Sequence, residues 1–226
     1  MKFNKVNNPK VNIDEDTLEE QGAAGYCGYF KNQRVITKLV VPIDEDFKEA
    51  KYYRMVVDAI SDLGEDDLVE FRINSPGGDL SGLVSLLSAI EATPATTMAV
   101  LTGEVHSAGS MLAVSCDVVQ VGSYANMLCH NMRYGVKGKA ADIHAQVLHS
   151  NEYAEKLMCK CYEYFLTSDE IEELLKGKEL WLNNEEINER FQRKFDALNA
   201  LAEEEGCCGT PDDCPDICNC PLAKDE

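Results

Sequence analysis

Long apolar segments and basic residues are both scarce in this sequence of 226 residues. No run reaches the roughly 18 consecutive apolar residues that a helix needs to cross a bilayer, so no membrane-spanning segment is predicted. Lysine and arginine number 21 against 40 aspartates and glutamates, which gives a formal net charge of -19. Because clustered basic residues drive binding to phosphate backbones and anionic lipid surfaces, this balance argues against nucleic acid and membrane partners.

The first residues do not predict a secretory signal, because Met1–Lys5 leads into polar sequence and not into an apolar segment. We therefore expect a soluble, cytoplasmic protein. Ten cysteines are present, and in such a compartment they are expected as reduced thiols or metal ligands. Five of them lie in apolar segments and are predicted to be buried structural thiols: Cys27, Cys116, Cys129, Cys159 and Cys161.

Strand and helix patterns alternate along the chain, which predicts an α/β fold with a mostly parallel sheet. Short β-branched or alternating segments predict strands at residues 34–41, 69–73, 96–101, 118–121, 127–130 and 179–183. Helical spacing of apolar residues predicts helices at residues 47–60, 80–90, 107–114 and 140–165. A capping box at Thr167–Glu170 predicts one more short helix. We expect residues 1–33 to be an N-terminal extension, 34–200 the folded domain and 201–226 an acidic tail.

The tail contains five cysteines with the spacing CC-x5-C-x3-C-x-C. Four thiolates are a common zinc ligand set, but none of these gaps is the usual C-x2-C spacing, so the pattern is weak evidence for a metal. A flexible acidic tail without metal is an equal alternative. The candidate ligands are Cys207, Cys208, Cys214, Cys218 and Cys220. No other metal and no cofactor are predicted.

Two glycines end the turn N-S-P-G-G-D that follows the strand at residues 69–73. Glycine lets backbone approach a ligand closely, and free amides at the start of a helix can hold a developing negative charge. Gly77 is therefore a candidate oxyanion-hole donor. The alternative is an ordinary turn between a strand and a helix.

Small residues surround Ser107 in the segment G-E-V-H-S-A-G-S-M, between a strand and an apolar helix. A nucleophilic hydroxyl needs such a sharp turn at a helix N-terminus, where the next amide, here that of Ala108, is free to donate to an oxyanion. The alternative is that Ser107 only caps the helix.

The candidate general base is His130, which ends the apolar strand M-L-C-H. His106 is a poor candidate, because adjacent side chains diverge and His106 directly precedes Ser107. His144 and His149 fall within the long predicted helix and are assigned to its surface or to packing.

Taken together, these segments resemble the proteolytic subunit of the Clp proteases over residues 34–187. R-I-N-S-P-G-G at 72–78 resembles the family's oxyanion turn, G-E-V-H-S-A-G-S-M its nucleophile segment, and M-L-C-H-N at 127–131 the segment of its catalytic histidine. The resemblance implies a spiral of repeated β-β-α units with a protruding handle helix. It also implies Ser107 as nucleophile, His130 as base, and the amides of Gly77 and Ala108 as the oxyanion hole.

The segment Y-G-V-K-G-K-A-A-D-I at 134–143 resembles the family's glycine-rich strand and the start of its handle helix. This implies a substrate-binding role for Gly78, Tyr134, Gly135 and Val136. E-L-W-L-N at 179–183 resembles the segment that carries the third catalytic residue, with Glu179 at the position of the family's aspartate, 49 positions after His130. A glutamate can orient an imidazole as an aspartate does.

Two positions depart from the family pattern near the nucleophile. Ala108 stands where a methionine is usual, and His106 stands where a small residue is usual and could crowd the site. The N-terminal residues also do not resemble the family's axial gating loops, so they do not support docking to an unfoldase ring.

The resemblance implies a serine endopeptidase that cleaves peptides or unfolded proteins inside a homo-oligomeric ring, a heptamer or two stacked heptamers, with an AAA+ unfoldase as a possible partner. The sequence resembles the shorter, divergent members found in phages more than the housekeeping bacterial subunit. This resemblance implies a location in the host cytoplasm. The alternatives are a catalytically silent ring scaffold and a phage prohead-maturation protease. Acyl-CoA hydratases and isomerases share the spiral fold, but the acidic composition disfavours a CoA partner.

Overall fold

Parallel strands form the centre of the sheet in this computed structural model, which describes residues 36–205. β2 lies between β1 and β3. In β2 the apolar side chains of Val69, Phe71 and Ile73 are fully buried, while Glu70 between them is held by ion pairs with Lys38 and Arg72. The predicted alternation holds at Val69, Phe71, Arg72 and Ile73, but Glu70 is also buried, at 5% exposure, because its two ion pairs compensate the charge. The strands are β1 (Lys38–Ile43), β2 (Leu68–Ser75), β3 (Thr96–His106), β4 (Val118–Val121), β5 (Asn126–His130) and β6 (Glu179–Leu182).

β3 is long enough to pair with two different strands on the same side. Its first half pairs in parallel with β4, at Met98 to Leu101, and its last three residues pair in parallel with β5. β6 then adds to β5 in the antiparallel direction, so the path across the sheet is β1-β2-β3-β5-β6. Because β3 and β5 run in the same direction, their carboxyl ends meet at one edge of the sheet.

Six α-helices connect or cover these strands within the described residues. Asp79 caps the second helix through the amides of Ser81 and Gly82, and the capping box predicted at Thr167 and Glu170 is present. Every residue of the third helix is buried. The helices are α1 (Arg54–Ser61), α2 (Leu80–Ala92), α3 (Ala108–Val114), α4 (Ala140–Tyr162), α5 (Ser168–Leu175) and α6 (Asn184–Glu205).

The long helix α4 is buried only toward its C-terminal end. Its buried residues are Ala154, Met158, Cys161 and Tyr162. Ile143 and Val147, which were also predicted on the inner side, are only partly buried. Within the part of the chain that the structure describes, the first half of α4 therefore has no fully buried side chain.

Helix α6 was not predicted as an element, and it packs against the core. Ile187 and Phe191 are buried along its inner side. Arg190 donates from Nη1 and Nη2 to the two carboxylate oxygens of Glu170 at 2.9 Å and 2.7 Å. These bonds hold the pKa of Glu170 well below its usual range, at about 2. The spacing of Ile187, Phe191 and Phe195 by four residues was the available sequence signal for this helix.

The remaining sequence predictions for this region meet mixed outcomes. Cys116, Cys129 and Cys161 are buried as predicted, but Cys159 is exposed, because it faces away from the core on α4. Among residues 36–205, no helix has the length and apolarity to span a membrane, and no cluster of three or more metal-ligating side chains occurs. The N-terminal extension, Cys27 and the five tail cysteines lie outside the described residues.

Candidate active site

Ser107 occupies the sharp turn between β3 and α3. Its backbone has φ 54° and ψ -116°, a conformation that side-chain-bearing residues rarely adopt and that is concentrated at functional sites. Within the described part of the chain, its hydroxyl makes no capping hydrogen bond to α3. The alternative that Ser107 serves as an ordinary helix cap is therefore wrong.

Gly77, in the turn that follows the neighbouring strand β2, lies directly against Ser107. A Cβ at position 77 would stand 2.6 Å from the Ser107 Cβ and 3.2 Å from its Oγ, and the backbone there has φ +101°. Only glycine avoids this close contact and also adopts a positive φ without strain. The Gly77 amide donates to Ser75 Oγ at 3.2 Å, while its carbonyl accepts from the amide of Phe47 at 2.8 Å.

Gly78 is required for a different reason. Its φ is +144°, and a Cβ there would come within 2.5 Å of the backbone N and O of Phe47. Phe47 and Gly78 form an isolated parallel bridge, and the amide of Asp79 donates to the Phe47 carbonyl at 2.8 Å. This packing accounts for the second glycine of the turn, independently of the predicted substrate-binding role.

Ala108, the other predicted oxyanion donor, is the first residue of α3 and is buried. The first amides of a helix have no intrahelical acceptor. The Ser107 amide donates to the carbonyl of Leu128 at 2.8 Å, which ties this turn to β5. The structure thus brings together Ser107, Ala108 and Gly77 around one point at the sheet edge.

His130 ends β5, two residues beyond Leu128 and on the same face of the strand. It is partly buried. Its Nδ1 lies 2.5 Å from the carbonyl oxygen of Asn131, and since a carbonyl only accepts, Nδ1 carries the proton of the neutral ring. This tautomer leaves Nε2 unprotonated, which is the state that a general base needs.

Glu179 is directly opposite His130 in the antiparallel β5–β6 pair, so the two side chains are on the same face of the sheet. Its carboxylate Oε1, however, accepts from Arg133 Nη2 at 2.8 Å, and both side chains are exposed, Arg133 by 79% and Glu179 by 39%. The predicted acid therefore neighbours the histidine by strand register, while the proton on Nδ1 goes to the Asn131 carbonyl.

The predicted substrate-binding segment does not form a strand here. Tyr134, Gly135 and Val136 belong to an irregular segment between β5 and α4. The Tyr134 hydroxyl donates to Asn151 Oδ1 at 2.8 Å, so the ring lies toward α4. A Cβ on Gly135 would meet nothing within 4 Å, and packing gives no reason for a glycine at that position.

The model of the Clp protease family matches residues 24–189 of the sequence. The chain belongs to the Clp protease family. The mixed α/β architecture of residues 36–205 fits that family, so the resemblance to the family and the α/β fold class predicted from sequence are confirmed, while the handle helix stays a prediction. Membership supports a peptidase-like function and implies peptide substrates and oligomeric rings. No curated protein matched the sequence in a separate search.

Within this Clp-family site, the residue before the nucleophile has its own partners. His106 Nε2 lies 2.6 Å from Asn126 Oδ1, and the ring meets Trp181 edge-on with centroids 5.2 Å apart. His106, Leu128 and Trp181 are paired in register across three strands. His106 thus has hydrogen-bond and ring partners of its own on this row, and its exclusion as general base stays a prediction.

Sequence reasoning did not single out two residues that contact the Ser107 turn from behind. Ser110 Oγ donates to the carbonyl of Ser107 at 2.7 Å, and it lies 2.7 Å from the hydroxyl of Tyr162, at the end of α4. The only sequence signal was a second hydroxyl three residues after Ser107. Tyr162 follows Ser110 by 52 residues, and no local pattern connects them.

Proposed function

We propose that this Clp-family protein is a serine endopeptidase in which Ser107 attacks the carbonyl of the substrate peptide bond. The observation that carries the proposal is the backbone of Ser107, held at φ 54° with its hydroxyl free of the helix cap. A strained turn that presents a hydroxyl at a helix N-terminus is the arrangement of activated serine nucleophiles. A serine that only capped α3 would not need this conformation.

His130 acts as the general base through Nε2. It takes the proton of the Ser107 hydroxyl as Oγ bonds to the carbonyl carbon, and it returns that proton to the leaving amine when the peptide C–N bond breaks. The hydrogen bond from Nδ1 to the Asn131 carbonyl supports this role, because it fixes the tautomer in advance. Water then hydrolyses the acyl-enzyme by the same proton transfers in reverse order.

The amides of Ala108 and Gly77 stabilise the oxyanion of the tetrahedral intermediate. The Gly77 amide now donates to Ser75 Oγ at 3.2 Å, which is long for a hydrogen bond to a neutral oxygen. An ionised oxygen is a stronger acceptor, so the oxyanion competes successfully for this donor.

Glu179 completes the triad by accepting the Nδ1 proton of His130 in place of the Asn131 carbonyl. Its exposed ion pair with Arg133 opposes this arrangement only weakly, since such pairs contribute about 0.2–1 kcal/mol. Catalytic hydrogen bonds are often loose before substrate binds. Gly78 and the segment Tyr134–Val136 would then bind the substrate backbone beside the nucleophile.

The same proposal includes a homo-oligomeric ring, a heptamer or a double heptamer, that encloses the sites and accepts chains from an AAA+ unfoldase. The first half of α4 supports an oligomer, because residues 36–205 leave its partly apolar face without a fully buried side chain. Residues 34–200 would form this peptidase domain. The phage-type subtype stays a prediction.

Ser107→Ala tests the chemistry. We expect loss of essentially all hydrolysis of short fluorogenic peptides and of labelling by a fluorophosphonate probe, because the attacking oxygen is removed. Ser88→Ala, an exposed serine on α2, is the matched control and should leave both signals unchanged. Undiminished turnover by Ser107→Ala would contradict the assignment.

A silent ring scaffold is the second candidate, and the pairing of Glu179 with Arg133 favours it, because the triad is not closed here. Mass photometry separates the two functions when it is combined with probe labelling. A ring whose Ser107 reacts supports the peptidase, and a ring whose Ser107 stays unlabelled supports the scaffold.

A further inference from the structure

The carbonyl oxygen of Ser107 accepts three hydrogen bonds. Two come from backbone amides of α3, those of Ser110 at 3.0 Å and Met111 at 3.2 Å. The third and shortest comes from the hydroxyl of Ser110 at 2.7 Å. The Ser110 side chain therefore adds a third donor to a carbonyl that already accepts from two backbone amides.

The number of protons on each hydroxyl determines the direction of the hydrogen bond between Ser110 and Tyr162. A serine hydroxyl has one proton, and Ser110 gives it to the Ser107 carbonyl. Its oxygen must therefore accept from the hydroxyl of Tyr162, which lies 2.7 Å away. The result is a relay of two hydroxyl groups that begins at Tyr162 and ends at the carbonyl of the nucleophile.

Both members of the relay are fully buried, with relative exposures of 0%. Burial raises the pKa of the Tyr162 hydroxyl well above its ordinary value, so the group keeps the proton it donates. Burial also raises the pKa of the Cys129 thiol, which contacts both hydroxyls, to about 11, so it stays a neutral and weakly accepting thiol near neutral pH. In such a low-dielectric setting, consecutive hydrogen bonds polarise and strengthen one another.

The relay donates to the carbonyl of the peptide group that joins Ser107 to Ala108. The carbonyl of Ser107 and the N–H of Ala108 belong to the same planar trans peptide, so fixing the direction of one fixes the opposite direction of the other. Donors on the carbonyl also draw electron density toward the oxygen and make the N–H a stronger donor. Because the backbone of Ser107 is strained, this peptide plane needs such external support.

We propose that Ser110 and Tyr162 are positioning residues that aim and polarise the Ala108 N–H for the oxyanion of the transition state. The inference rests on the proposed function, in which this amide is an oxyanion donor. It assigns to the end of α4 an influence on the chemistry at Ser107 through two side chains that touch neither substrate nor reacting atoms.

A purely structural role and a positioning role predict different measurements. Loss of packing or stability lowers the melting temperature and the active fraction, but it leaves each remaining active site unchanged. A misdirected oxyanion donor lowers kcat and leaves KM nearly constant, because the substrate carbonyl needs the donor mainly in the transition state. It also weakens binding of a peptide boronate, which forms a tetrahedral adduct, more than binding of the matching unreactive peptide amide.

The experiment compares Ser110→Ala, Tyr162→Phe and the double variant in the full-length protein, with the active fraction counted by fluorophosphonate titration. We expect kcat to fall about tenfold in Ser110→Ala, less than the roughly 10²–10³-fold cost of removing an oxyanion donor itself. We expect about threefold in Tyr162→Phe, because only the polarisation of the Ser110 hydroxyl is lost. Boronate affinity should fall in parallel with kcat, and the double variant should match Ser110→Ala.

The control variants remove a serine hydroxyl and a tyrosine hydroxyl at positions outside the relay. Ser115 Oγ donates to the carbonyl of Met111 at 2.8 Å, at the opposite end of α3, and the Tyr53 hydroxyl accepts from the amide of Lys48. Ser115→Ala and Tyr53→Phe should leave kcat and boronate affinity unchanged.

The inference is overturned if kcat and boronate affinity per active site stay at the parent level in Tyr162→Phe and Ser110→Ala. It is also overturned if Tyr162→Phe lowers kcat equally with and without the Ser110 hydroxyl. Should Ser110→Ala fail to fold, Tyr162→Phe decides alone, because it keeps the ring. A folded parent protein that neither cleaves peptides nor binds the boronate would refute the proposed function, and the inference with it.

Discussion

The two sides of the candidate site are built in different ways. On the side of the nucleophile, Ser107 and Gly77 are fixed by backbone in the core, and the helix behind them is buried at every residue. On the side of the acid, the carboxylate of Glu179 is held by Arg133 through two exposed side chains. The backbone around Ser107 is thus determined within one chain, whereas Glu179 is held only by an exposed ion pair of the kind that contributes little.

Glu179→Gln tests this comparison with the largest expected effect. We expect kcat to fall by roughly 10³-fold or more, approaching the factor of about 10⁴ seen when the orienting carboxylate is lost in reference triads, with KM nearly unchanged. Steady-state kinetics measures both constants. Glu172→Gln removes another exposed, ion-paired carboxylate and should have no effect. A loss below tenfold would mean that the Asn131 carbonyl alone orients His130.

Gly77→Ala addresses the rigid side. The new Cβ would lie 2.6 Å from the Ser107 Cβ in a backbone conformation with φ +101°, so the turn must shift and its amide must turn away. We expect kcat/KM to fall about 10²–10³-fold, as for loss of an oxyanion donor, together with a lower melting temperature because alanine is strained at positive φ.

Gly64→Ala is the matched control, since a Cβ at this position meets only Asp67 Oδ2, at 3.8 Å. It should leave activity at the parent level. If Gly77→Ala also retained full activity, the nucleophile side would be less rigid than its backbone geometry indicates.

Arg133→Gln has the smallest expected effect. It changes the side of the acid, where Glu179 is held by an exposed ion pair. Without the guanidinium, Glu179 is free to accept from His130, so kcat should rise by up to about fivefold, the equivalent of the 1 kcal/mol upper range for exposed ion pairs. Lys176→Gln breaks a comparable exposed pair with Glu172 and should leave kcat unchanged. A large decrease in Arg133→Gln would instead show that the pair holds Glu179 in its working position.

Sequence alone predicted the parts of the site that local backbone rules determine. The turn at Gly77 and the serine segment at Ser107 are contiguous stretches whose glycines and small residues restrict the backbone directly. His130 was a candidate base from its position after an apolar strand, and family resemblance supplied the proposed role of Glu179; the two residues are paired in register.

The rest depends on contacts between distant segments. The ion pair of Arg133 with Glu179 joins a loop to a strand 46 residues away, and both types of side chain are common on any surface. Tyr162 reaches Ser110 only because the C-terminal end of α4 packs on α3. Helix α6 was missed because its apolar residues are few among many charged ones, although their spacing was helical.

The complete burial of α3 has a consequence for the newly made protein. The contacts around Ser107 are complete only when β2, β3 and β5 have paired and Tyr162 has packed beneath the helix. A ribosome-bound chain that ends before residue 162 therefore lacks part of this support, and one that ends before residue 179 lacks the proposed acid. The proposed active site is therefore incomplete until nearly all of its domain has been translated.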